Sequence, residues 1–381
     1  MLLDRVIDFF TSLRLTVVCL CLGLVLVFFG TLAQVDLGLY QAQADFFRSF
    51  FVYWRPKGGN WKIPVFPGGY LVGSVLLLNL IAAHIRRFTL AKNKIGILMV
   101  HAGLILLLLG QLLTDMLSVE SVMHLRVGEA RNYSEEARRF ELAVMDTTNP
   151  DSDSVVVIPE EALVSQKIIR HAKLPFGIGV IKYYPNSEVV TNQQPLFDPS
   201  PANQGSGIGL AVKSTPKVTS SELRDVPTLA VELKSDGGSL GRWLVSGYLG
   251  AQSFNLANHT YQILLRPARH YQSFSLQLLN FNHAVYQGTD IPKDFSSRVR
   301  LLRPATGEDR ETLIYMNNPL RYAGETFYQA GFDPDDAGTI LEVVRNPGWL
   351  TPYLSCSLMG AGMAVQFLSH LIRFLKRRTK A

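Results

Sequence analysis

Four stretches of this chain contain no Lys, Arg, Asp or Glu: residues 15–33, 71–83, 95–113 and 350–368. Each belongs to a run of ~20 mainly apolar residues, the length a helix needs to cross a bilayer. The pattern predicts spanning helices over 13–33, 68–88, 95–116 and 349–371. The first resembles a signal peptide in one respect, because Thr31-Leu32-Ala33 reads as a small-x-small cleavage site. Its apolar core is longer than the ~7–15 residues of a signal sequence, so a retained anchor is expected.

Between 117 and 348 the pattern changes to period two. "TLAVELKSD", "YQILLRPAR", "FSLQLLNFNHAVYQ", "SRVRLLRPA" and "ETLIYMN" alternate apolar and polar positions as strands do, and "SDGGS", "PATGED" and "FDPDDAG" separate such runs with turn residues. A β-rich domain follows, either a sandwich or paired sheets. Residues 196–220 are dense in Pro, Ser, Gly and Asn and read as a long loop or a seam between two halves. There is no evident internal repeat. The expected fold is a membrane protein of the α+β class. Four transmembrane helices, three N-terminal and one C-terminal, carry a large β-rich extracytoplasmic domain.

Charge adds sidedness. The net charge of +6 is concentrated beside the apolar runs. Arg86, Arg87, Lys92 and Lys94 join the second and third runs, and Arg373, Lys376, Arg377, Arg378 and Lys380 follow the fourth. Lys and Arg mark cytoplasmic segments. The N-terminal membrane region 1–116 is therefore expected to keep its 87–94 link inside and its 34–67 loop outside. Residues 117–348 form the external domain, and 372–381 form a basic cytoplasmic tail. In the short loop Phe46, Phe47, Phe50, Phe51 and Trp54 recur at helical spacing. They fit an amphipathic helix on the outer membrane face, with Trp54 and Trp61 at headgroup depth, or a helix packed under the large domain. Pro64, Pro67, Gly68 and Gly69 break the chain before it re-enters the bilayer.

Candidate chemistry is sparse. Cys19, Cys21 and Cys356 all lie in apolar runs, and Cys19 and Cys21 lack the CxxC redox spacing, so small apolar filler is expected. There is no GxSxG, HExxH, Walker loop or CxxCH. His124, His171, His259, His270 and His283 share no metal-ligand spacing. His270 lies beside Arg266 and Arg269, a basic patch that could take an anionic group such as a propionate.

Three histidines fall in or beside the spans: His84, His101 and His370. An ionisable group within a span is costly and faces a protein interior or a cavity. His84 and His370 lie close to Arg86 and Arg373, where a side chain reaches the headgroups. His101 lies about 10 Å inside its helix, at 1.5 Å per residue. Gly96, Gly103 and Gly110 recur every seven residues around it, a smooth face for close helix approach or for a flat ligand. An imidazole here can ligate haem iron, relay protons or bond a neighbouring helix; spacing alone leaves all three open.

Read end to end, the chain resembles the ResB (CcsB) family of cytochrome c biogenesis proteins, system II. The first span reads "FFTSLRLTVVCLCLGLVLVFFGTLAQ", the second "FPGGYLVGSVLLLNLIAAHIRRF" and the third "HAGLILLLLG", followed by "VESVMHLRVGEARNYSE". The most telling pieces are PKDF at 292–295, the NPLRY…FYQ run at 318–329, and the order of three spans, β domain and one span. The resemblance implies a protein of the bacterial cytoplasmic (inner) membrane that pairs with a ResC/CcsA-type partner. Together they transport haem b outward and support its attachment to apocytochrome c, with thiol-reducing proteins as further contacts, membrane lipid around the spans and no nucleic acid. The family's span-three histidine, an axial haem ligand, carries over onto His101, and His370 and His84 are weaker ligand candidates. Haem would lie along the smooth glycine face, and its second ligand would come from the partner. The Trp-rich haem-handling segment belongs to that partner; this chain has four Trp, none clustered. It also offers no evident thiolate, acid or base for thioether formation. The expectation is a non-catalytic half of a holocytochrome c synthase (haem lyase) complex. Asn318, Pro319, Phe327 and Tyr328 are expected to dock the external domain onto the membrane helices, or else to form an internal strand. The competing class is a cofactor-free assembly scaffold or transporter accessory protein.

Overall fold

The computed structural model of the chain describes residues 2–54, 61–87, 94–191, 195–218, 224–289 and 292–379. Lys92 and Lys380, and most of the expected 87–94 link, lie outside the described residues. The chain divides into two compact units. One holds Met1–Val119 and Arg345–Ala381; the other holds Glu120–Val218 and Glu222–Val344.

The first unit is helical. Its helices are α1 (Leu2–Phe10), α2 (Leu13–Ala42), α3 (Gly69–Arg87), α4 (Ile95–Leu117) and, after a short α5 (Glu160–Ser165) in the other unit, α6 (Thr351–Arg378). Among the described residues, four are long and apolar enough to cross a membrane, with bounds Leu13–Phe47, Gly69–Arg86, Ile95–Leu117 and Thr351–Arg378. Together with the large β-rich region this is compatible with a membrane protein. The first and last helices exceed the apolar runs that predict them. Helical hydrogen bonding continues into polar flanks, whereas hydropathy stops at the first charge. Within α2, Gly38 leaves helical geometry at φ 75°, a conformation glycine adopts without a Cβ penalty, and kinks the helix there.

The aromatic loop departs from expectation. Helix continues beyond α2 only through Gln43–Phe47, as a single π turn, and Phe51–Trp54 is a strand paired antiparallel with Ile63–Pro67. Helical spacing of aromatics competes here with their preference for strands, and pairing wins. Trp54 and Trp61 are exposed. Phe47 lies on Gly30 of α2, where any side chain would collide with its ring.

The second unit is β-rich. A ten-stranded and a four-stranded sheet dominate it. The 228–235, 259–285, 292–303 and 308–315 strands cover the alternating runs read in the sequence. One strand, His259–Val285, is 27 residues long and serves two cores. Tyr261, Ile263 and Leu265 pack with Leu142, Ile178, Leu229 and Trp243; farther along, Phe274, Leu276 and Leu278 pack with Leu125, Leu301, Phe327 and Leu341. The large sheet curls: Ser297 Oγ reaches Gln329 at 2.6 Å and Thr339 at 2.8 Å, although their strands are far apart in sheet order. The 196–220 segment is not a bare loop. Asp198–Pro199 and Ala211–Ser214 join Ser187–Val190 in a three-stranded sheet. Residues 219 and 220 lie outside the described residues.

Candidate functional site

Helices α3 and α4 run antiparallel, and two polar rungs join them. At one rung Tyr70 Oη donates to Asp115, which also accepts from Arg48 Nε at 2.8 Å. At the other, the rings of His84 and His101 meet edge to face, their centroids 5.0 Å apart. Fourteen residues separate Tyr70 from His84, and fourteen separate His101 from Asp115, about 21 Å along each helix at 1.5 Å per residue. Fourteen residues is close to four turns, so both rungs use nearly the same face.

His101 stands between two cavities. One, of about 300 Å³, has His84, Asn79, Thr16 and Lys94 among its lining residues. The other, more open and about 500 Å³, is lined from α4 and α6, with Met363, Phe367 and His370 opposite His101. His84 is thus not simply a headgroup residue, as its place beside Arg86 suggested; the fold turns it onto His101. His370 is exposed, and the Gln366 amide donates to its Nε2 at 2.8 Å, one turn away on the same helix.

Asn79 escaped the sequence reading. It is 2% exposed and ties three segments together. Thr16 Oγ1 donates to its Oδ1 at 2.6 Å, while its Nδ2 donates to the Phe10 and Ser12 carbonyls at 2.7 and 3.1 Å. Those carbonyls lie at the break between α1 and α2, where the last carbonyls of α1 lose helical partners and Ser12, the N-cap of α2, also accepts from the Thr16 amide at 3.4 Å. A lone Asn within "LLLNLIAA" was the available signal. Asp115, near the end of an equally apolar run, was another.

The glycine stripe is occupied. Gly96, Gly103 and Gly110 are buried against α6. A Cβ at Gly96 would come within 2.7 Å of the Gly362 carbonyl oxygen, and one at Gly103 within 2.9 Å of the Ser355 carbonyl oxygen. At Gly110 it would meet Thr351 Cγ2 at 2.3 Å. This is the close helix approach that small residues permit. Of the two uses expected for the smooth face, helix packing takes it, and no flat ligand can lie along it.

In the β unit, Phe327 is fully buried, its ring edge-on to Phe274 at 6.0 Å. It belongs to an internal strand, Glu325–Phe332, and its side chain is committed to the domain core, not to a docking surface. Tyr328 points to the other face and is 39% exposed. Asn318 bridges Tyr315 in a tight turn with Pro319 after it, and Ala323 and Gly324 turn the following hairpin with φ of 51° and 83°.

The basic patch at His270 is already answered. Arg266 Nε donates to Glu141, Arg269 Nε to Glu135, and His270 Nε2 lies 2.8 Å from Glu136. These carboxylates come from the facing strand, so the patch is a cross-strand ladder and presents no net positive surface to an anion. His124, His259 and His283 likewise each meet a carboxylate, from Asp333, Asp146 and Asp336. Among the described residues no cluster of three or more His, Cys, Asp or Glu could hold a metal ion. The three cysteines are free; Cys19 is buried, and Cys21 and Cys356 are exposed.

Comparison with known proteins places a match in the β unit. Residues 245–340 match the ResB-like family, a span that includes both PKDF and the NPLRY…FYQ run but not His101. The chain is also 27% identical over 305 residues to Protein NrfI of Wolinella succinogenes; the alignment covers 79% of this chain and 30% of that protein. The chain therefore spans about a third of the length of the curated relative it matches. The resemblance carried by the motifs is shown, and the chain is ResB-like through residues 245–340.

Proposed function

We propose that this chain is a membrane subunit of cytochrome c biogenesis that holds haem, as substrate, at His101 and presents it with a ResC/CcsA-type partner to apocytochrome c. The ResB-like match points to cytochrome c biogenesis in general. The observation that carries the finer reading is the His84–His101 contact on neighbouring candidate spans, with a cavity on either side of His101.

The residues fit the cargo in a specific way. Two imidazoles in edge-to-face contact leave no room for a macrocycle between them, so they do not both ligate one iron as they stand. His101 is the ligand in this reading, and His84 positions it. An imidazole that binds a metal through one nitrogen is oriented by what its ring and second nitrogen meet. Apolar side chains such as Val100, Met363 and Phe367 line the more open cavity and suit a porphyrin body. The second axial ligand comes from the partner. His370, held by Gln366, stands at the edge of the same opening.

Haem supplies the iron and the vinyl groups of the joining reaction; this chain's part is to bind, orient and release. The cytoplasmic placement of the basic segments, the external placement of the β unit and the inner-membrane location belong to the same proposal, on the charge asymmetry of the chain. The decisive experiment is co-purification with a ResC-type partner, scored for haem by visible absorption. A complex that matures cytochromes yet never carries haem would support the scaffold alternative instead.

A further inference from the structure

The other rung of the α3–α4 pair opens on a third cavity of the helical unit, about 460 Å³. Its walls are Phe47, Leu77, Leu108 and Leu112. On α3 the small residues Gly73 and Ser74 leave volume open, whereas Gly69, also at the wall, packs against the Phe47 backbone, where a Cβ would come within 2.3 Å of the carbonyl oxygen. A Cβ at Gly73 would meet no atom within 4 Å, so this glycine makes space and does not serve packing. Arg48, Asp115 and Tyr70 stand together in its wall, and Gln34, Gln43 and Gln111 add primary amides. A cavity of this size, mostly apolar with a few convergent polar groups, has the form of a small-molecule site.

The hydrogen bonds set the ligand's polarity. Both Asp115 oxygens are met, Oδ1 by Arg48 Nε and Oδ2 by Tyr70 Oη. Arg48 spends one edge of its guanidinium on that bond. Its outer edge carries further N–H donors in a planar fork that matches a carboxylate or phosphate. Arg48 is half-exposed and Asp115 only 10% exposed, so the cation lies at the mouth and the acid behind it. A donor-rich mouth over an apolar interior selects an acceptor-bearing head on an apolar tail.

We infer that the Arg48–Tyr70–Asp115 cavity is a second binding site, distinct from the histidine rung, for an anionic amphipath with an acyl tail, either a free fatty acid or a phospholipid. The tail lies between Leu77, Leu108 and Leu112 over Gly73, and the head takes the outer edge of Arg48.

The test uses the full chain in phosphatidylcholine nanodiscs and 12-(9-anthroyloxy)stearate as probe. The parent should bind it saturably. Gly73→Leu fills the cavity and should abolish binding, while Gly23→Leu, at another helical glycine with open space around it, should keep it. Arg48→Gln should weaken binding about tenfold or more, the scale of a hydrogen bond to a charged group, and Arg48→Lys should restore part of it. Displacement by unlabelled stearate assigns the site to free acids, and displacement by phosphatidylglycerol assigns it to phospholipid; either supports the proposal. Equal displacement by stearyl alcohol would remove the anionic head, and parent-like binding by Gly73→Leu would remove the site. Haem content is read separately on the same variants. A Gly73→Leu chain that loses the probe and keeps its haem supports this site whatever becomes of the function proposed for His101.

Discussion

In the β unit four histidines each face an acid: His124 with Asp333, His259 with Asp146, His270 with Glu136 and His283 with Asp336. In the helical unit His84 and His101 face each other. An imidazole beside a carboxylate is used up as a hydrogen-bond donor or cation. At the ring contact itself neither imidazole meets a carboxylate, and a neutral imidazole keeps a lone pair that can bind a metal. The apolar residues are reversed as well. Leu142, Ile178, Leu229 and Ile263 are fully buried in the β cores, while Leu20 and Leu24 of α2 are 58% and 73% exposed, as lipid-facing side chains are. The same residue types thus fill buried cores in one unit and an exposed apolar surface around a few polar contacts in the other, an arrangement compatible with a membrane protein.

The largest expected effect strikes the histidine rung. His101→Ala should leave the complex assembled, strip its haem and stop cytochrome c maturation, as read by visible spectra of the purified complex. His101→Cys should retain a weaker ligand, and added imidazole should partly refill the alanine variant. His84→Ala should lower haem content less, through loss of ring orientation, and His370→Ala least of all. An alanine variant at His101 with full haem and an unchanged spectrum would erase the distinction between the two sets of histidines.

The next effect separates core from surface in the β unit. Phe327→Ala should cost about 3–5 kcal/mol, as truncation of a buried aromatic does. Tyr328→Ala, on the exposed face, should stay within about 0.5 kcal/mol. Denaturant melts of the full chain decide it. If the order is reversed, Phe327 is not a core residue and its docking role returns.

A smaller contrast lies within the helices. Gly96→Ala puts a methyl against the Gly362 carbonyl and should destabilise the α4–α6 seam by about 1–3 kcal/mol. Gly73→Ala meets open space and should be neutral or stabilising by up to about 1 kcal/mol, from helix propensity alone. Thermal melts in detergent compare the two.

The smallest effect is one of pH, and it belongs to the β unit. The Thr148 hydroxyl, then the Thr148 amide and His259, hold the Asp146 carboxyl below its usual range. Asp309 is held down by Arg300, and Asp335 by the Ala337 amide and Arg126. A folded pKa below the unfolded value gives stability that is full above the unfolded pKa of about 4 and is lost as pH falls through the folded one. The β-unit melting temperature should therefore decline modestly on acidification below that range. Asp146→Asn should flatten its share of the decline; an unchanged slope would show that Asp146 contributes none of it.

The sequence by itself determined the existence of the apolar helices, the β character of the region between the third and fourth, and the oddity of His101. These depend on composition and local period, which a single segment carries whole. The family resemblance was readable too, because PKDF and NPLRY…FYQ are contiguous. Only the tertiary structure decided which faces meet. A helix apolar on every side does not reveal its rotation, so the sequence could not say that Gly96, Gly103 and Gly110 turn to α6 while His101 turns to His84. Nor could it pair Asp115 with Tyr70 and Arg48, or Arg266 with Glu141, since such partners are set by register between distant segments. Phe327 and Tyr328 are adjacent and both aromatic; strand geometry sends them to opposite faces, and only the packed sheet shows which face is the core. The 51–54 segment became a strand because Ile63–Pro67 lies beside it, a neighbour that its own aromatic spacing could not announce.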